Sequence, residues 1–147
     1  MTVTITYPRA GQIDPEYEKF VDTLPANSGD GGIAAGLIGS YVTGKVVVNP
    51  TTQGTKPFVG VVETKLTTDT LVRALKEGIF YGYCEGAVPV GSQLVGGTTT
   101  AGHMRARAAE TFDKIIGPYQ GHAGEGSGNS PITAGANGQI IKVYISQ

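Results

Sequence analysis

The stretch Gly39-Ser40-Tyr41-Val42-Thr43-Gly44-Lys45-Val46 has the glycine and lysine spacing of a phosphate-cradling loop. Such a loop works because backbone N–H groups at a helix N-terminus converge on the phosphates, while a hydroxyl after the lysine holds magnesium. Here Val46 stands where the hydroxyl is needed, and Val47-Val48-Asn49-Pro50 reads as a strand ending at proline rather than a helix. Nucleotide chemistry is not expected at this stretch.

A second concentration of reactive types lies in Gly121-His122-Ala123-Gly124-Glu125-Gly126-Ser127-Gly128, where a base, an acid and a nucleophile fall close together. Catalytic groups need packed supports that fix their mutual geometry, and a run this rich in glycine offers few. A surface loop is the expected outcome. Cys84 follows Ile79-Phe80-Tyr81-Gly82-Tyr83, a setting for a buried, inert thiol. One cysteine with His103 and His122 does not make a structural zinc site. The 12 acidic residues are scattered, without the paired carboxylates of glycosidic acid–base work. Arg105 and Arg107, two apart, would share one face of a strand. A solvated face is expected there, with an acidic partner surface as the alternative. The reading is therefore non-enzymatic, with no catalytic residue, no cofactor and no metal site.

Composition says which elements must carry these residues. Of 147 residues, 23 are Gly, 8 are Pro and 17 are Thr, while only 16% are charged, which favours turns and short strands over long helices. A net charge of −1 gives no electrostatic footprint for nucleic acid. No apolar run reaches the roughly 18 residues that a membrane-spanning helix needs. Residues 2–7 alternate polar and apolar before Pro8, so a short edge strand or extended arm is expected there, and no signal peptide.

Along the chain, Asp14-Pro15 reads as a helix start, and Tyr17, Phe20, Val21 and Leu24 follow at i, i+3, i+4, i+7 spacing. Pro25 and the glycine-rich run 27–32 close that helix and form a hinge. Residues 1–31 are thus expected to be an N-terminal arm carrying one short helix, and 32–147 a β-barrel body. Within the body, apolar runs at 33–38, 45–48 and 57–62 read as strands. Residues 71–84 read as a hairpin broken at Gly78, or as a helix capped by Asp69. Later strands are expected within 86–95, 103–108, 114–119 and 139–145, the last with clean alternation of Ile141, Val143 and Ile145. Residues 121–138 are expected to form one long loop. Short strands at this spacing predict an all-β barrel or sandwich.

Taken in order, the runs of the body resemble the small capsid decoration (cement) proteins of tailed bacteriophages. The resemblance is carried by Ile33-Ala34-Ala35-Gly36 and Pro57-Phe58-Val59-Gly60-Val61-Val62-Glu63. It continues through Gly78-Ile79-Phe80-Tyr81-Gly82-Tyr83-Cys84-Glu85-Gly86-Ala87-Val88-Pro89-Val90-Gly91, Leu94-Val95 and Ile115-Ile116-Gly117. Gly138-Gln139-Ile140-Ile141-Lys142-Val143-Tyr144-Ile145 ends it. The resemblance implies a β-tulip-like barrel that sits as a homotrimer on the outer face of the virion head, bound to the phage major capsid protein and needing no cofactor, nucleic acid or membrane. The arm lies outside it. On its own pattern, the Tyr17, Phe20, Val21 and Leu24 stripe is the expected capsid or inter-subunit contact. Two other functions fit a small all-β chain. One is a phage fibre or tail-tip module that binds a host surface. The other is a trimeric dUTPase-like hydrolase, against which stand the missing Gly-Tyr-x-Gly-Glu context and the absence of arginine in the late glycine-rich loop.

Overall fold

Leu71–Tyr83 forms a 13-residue strand, β5, around which the other strands are arranged. The computed structural model describes residues 10–26, 32–42, 44–48, 54, 56–67, 69–86, 88–89, 91–122 and 140–145. β1 (Ile13–Pro25) runs antiparallel along one edge of β5, from Ile13 opposite Phe80 to Pro25 opposite Leu71. The other edge of β5 is divided. β4 (Phe58–Val61) pairs with its first half and β9 (Ile140–Ile145) with its second.

From β4 the sheet continues through β2 (Ile38–Val42) to β3 (Lys45–Val48). From β9 it continues through β8 (Gly117–His122) and β6 (Gln93–Gly96) to β7 (Met104–Ala106). Both wings curl back toward the central pair. A parallel bridge joins Ala26, just past β1, to Val46 of β3, and another joins Cys84, just past β5, to Met104 of β7. The result is an all-β, curled half-barrel.

Each wing encloses its own core. Leu24, Ile33, Val46, Val59, Val61, Val72 and Ala74 fill the first. Phe58, Leu75, Phe80, Cys84, Leu94, Met104, Ile116 and the alternating Ile141, Val143 and Ile145 belong to the second. β4 serves both, because successive side chains of a strand point to opposite faces. Val59 and Val61 face the first core and Phe58 the second. On that second face Gly60 admits the Phe80 ring, whose carbons lie 2.7 Å from where a Cβ would sit.

The all-β class agrees with the sequence reading; several boundaries differ from it. The helix expected over Asp14 to Leu24 is strand β1. A ten-residue amphipathic helix is marginal by itself, whereas this segment gains a ladder along a long neighbour. Three register shifts, between Ile13 and Glu18, Glu18 and Phe20, and Phe20 and Val21, break the period-2 pattern. No clean alternation therefore marks this strand in the sequence. Both the hairpin and the helix expected over 71–84 are replaced by β5, which passes through Gly78 without reversing. The strand expected at 114–119 starts later, after a 3-10 turn at Phe112–Lys114. In the 33–38 run only a bridge at Ile33 precedes β2.

Candidate functional site

The lysine-containing glycine motif is a hairpin: Gly39 to Val42 lie on β2, Lys45 and Val46 on β3, and Val42 pairs directly with Lys45. Lys45–Val48 is extended strand where a helix N-terminus would be needed, so the described residues do not form a phosphate cradle. Of the second motif, Gly121 and His122 end β8, and 123–139 lie outside the described residues. Cys84 is fully buried in the second core, as its apolar setting predicts. Among the described residues no cluster of three metal-ligating side chains occurs.

Side chains with chemical potential converge instead where β5 meets the β6–β7 loop. Beyond the Cys84 bridge, the Glu85 N–H donates to Met104 O at 2.7 Å. Its carboxylate then turns into the loop. Oε1 accepts the N–H of Thr99 at 2.6 Å, the N–H of Thr100 at 2.8 Å and the Thr99 hydroxyl. Oε2 accepts the N–H and hydroxyl of Thr98. Gly97 keeps the approach clear, since a Cβ there would lie 2.9 Å from Oε2. Burial by itself would raise the Glu85 pKa. The Thr99 hydroxyl and the three N–H groups outweigh it and hold the carboxyl at about 2. Beside it the His103 ring stacks on Tyr83, with centroids 5.3 Å apart, and its Nδ1 lies 3.2 Å from Cys84 O.

Arg105 and Arg107 form a second polar assembly. β7 ends at Ala106, so Arg107 lies beyond it and the expected shared strand face does not form. Arg105 is half-buried and pairs with Glu110 through Nη2, with Nη1 donating to Ala106 O. Arg107 donates to Glu110 O at 2.9 Å and to Gln93 Oε1 at 2.6 Å. The Arg105 hydrogen bond is the main reason the Glu110 carboxyl sits at about 2, reinforced by the Ala108 N–H. Together these groups clamp the 107–110 turn.

A further group of surface features lies between β4 and β5. A cavity of about 210 Å³ is lined by Thr23, Glu63, Thr64, Lys65, Asp69, Leu71, Val72 and Arg73. Lys65 is 5% exposed and its ammonium donates to Leu66 O, while Arg73 and Glu63 approach to 3.9 Å. Leu66 and Leu71 stand out beside this cavity at 63% and 52% exposure. Asp69 fixes the turn between them, accepting the Leu66 N–H at Oδ2 and returning its own N–H to Leu66 O. Phe112 is also exposed, with the Lys56 ammonium 3.9 Å from its ring centroid.

Of the expected contact stripe, the two described side chains do not stand out from the body in this way. Leu24 is 4% exposed within the first core, and Val21 is half-buried against the second. The side chains of Tyr17 and Phe20 lie outside the described residues. Sequence reasoning missed both Glu85 and the leucine pair. A run of three threonines after two glycines signals donors in search of an acceptor. That acceptor lies 13 residues before Thr98, too far for a local pattern to reveal. Comparison with protein-family models, curated proteins and solved structures finds no match to this chain.

Proposed function

We propose that this chain is a non-enzymatic decoration protein, binding as a homotrimer to the outer face of a tailed-phage head and bridging neighbouring major capsid subunits. The sequence resemblance over residues 32–147 supplies the class. The structural observation that carries the reading is the Leu66–Leu71 turn. Two large apolar side chains are held out to solvent by an internally bonded turn, beside a cavity of mixed charge. Preorganised apolar anchors with a polar surround are what protein interfaces use. Repetition in three copies would turn a modest contact into strong retention.

In this reading the contact belongs to Leu66 and Leu71 rather than to Val21 and Leu24, which pack against the body's own cores. The test is co-sedimentation of the L66D/L71D double variant with expanded, undecorated heads. Loss of two anchors at about 1–2 kcal/mol each predicts retention weakened by at least about tenfold per copy, with melting temperature little changed. Retention equal to the unaltered chain would remove the leucine pair from the contact. Nucleotide turnover, or binding to host cells and not to heads, would overturn the capsid reading itself.

A further inference from the structure

Three consecutive N–H groups converging on one point form a concavity suited to an oxyanion. Thr98, Thr99 and Thr100 make such a concavity, two hydroxyls extend it, and its occupant is the chain's own Glu85 carboxylate. The loop also has supports apart from Glu85. The Gly97 N–H donates to His103 O at 2.7 Å, closing the mouth of the loop. The His103 N–H donates to Thr100 O at 3.3 Å, and Ile38 of β2 donates to Gly102 O at 2.8 Å. Thr98 and Thr99 are exposed, so solvent reaches the concavity.

We propose that the loop 97–103 is a preorganised oxyanion receptor, occupied by Glu85 as an intramolecular ligand, and that it takes a free carboxylate when that side chain is removed. None of the five donors carries a formal charge, so selectivity follows geometry rather than charge alone. The two-oxygen split, with Thr99 and Thr100 on Oε1 and Thr98 on Oε2, matches a planar carboxylate. In the unaltered chain the receptor is closed to dilute anions, because a tethered ligand is present at an effective concentration of millimolar or above. The inference is independent of the capsid reading.

The experiment follows the backbone amide resonances of Thr98, Thr99 and Thr100 in the Glu85→Ala variant during titration with acetate, against chloride at equal ionic strength. Expected is a saturable shift of these three amides with acetate, at least about tenfold tighter than any response of the unaltered chain. A response no different from chloride would overturn the proposal. Should E85A not fold, the unaltered chain gives the second measurement. Its three amides must move together as the Glu85 carboxyl takes up its proton, with a midpoint well below the ordinary 4.5. Flat resonances through that range would show that Glu85 does not occupy the receptor.

Discussion

Single residues decide how this molecule answers to acid. Glu85 and Glu110 both have carboxyls at about 2 against an ordinary 4.5, the first through threonine donors and the second through Arg105. A carboxyl depressed in the folded chain contributes stability that is fully present above its unfolded value. That contribution fades as pH falls from about 4.5 toward 2. Unfolding free energy measured by denaturant at stepped pH should therefore drop across this window. Glu85→Gln and Glu110→Gln should each flatten part of the drop while lowering stability at pH 7 by roughly 1–3 kcal/mol. Equal slopes in variant and unaltered chain would show that these carboxyls do not hold their loops. At this scale the sequence was legible by residue type and opaque by role. Cys84 could be placed from its apolar neighbours, but Arg105 and Arg107 looked like a solvated strand face. Their shared partner, Glu110, becomes visible only once β7 stops at Ala106 and the chain turns back.

Among the elements, β9 and β1 show what pattern reading captures and what it loses. β9 was legible because Ile141, Val143 and Ile145 alternate without interruption and bury one face. β1 was not, because its apolar residues lack alternation and stand at a spacing that suits a helix, and its pairing with β5 is interrupted by register shifts. Its pairing predicts that Leu24→Ala, opposite Val72 in the first core, costs about 2–5 kcal/mol in equilibrium denaturation. A change under about 0.5 kcal/mol would mean that this side chain is not part of the core. β4 is sandwiched between two cores, so it tolerates added bulk poorly. Gly60→Val should cost about 1–3 kcal/mol or more by driving a methyl-bearing carbon into the Phe80 ring. Combining it with Phe80→Leu should cost less than the sum of the two single changes, a coupling that a double-mutant cycle reads directly. Strict additivity would contradict the packing described.

For the whole molecule, sequence order conveyed the class, and tertiary closure supplied what order alone could not. The apolar runs and glycine breaks announce a small all-β body. That its wings return to the central strands depends on bridges such as Ala26 to Val46 and Cys84 to Met104, each joining residues 20 apart in sequence. The same closure draws Leu24 into a core and leaves Leu66 and Leu71 outside. Under the proposed function, the exposed leucine pair on the body is therefore the contact to test first. Saturable association of the purified chain with expanded, undecorated tailed-phage heads tests the proposed function most directly. Sedimentation should show binding that plateaus at a multiple of three copies per capsomer and raises the melting temperature of the shell. Linear, unsaturating association, or none, with shell stability unchanged would contradict it.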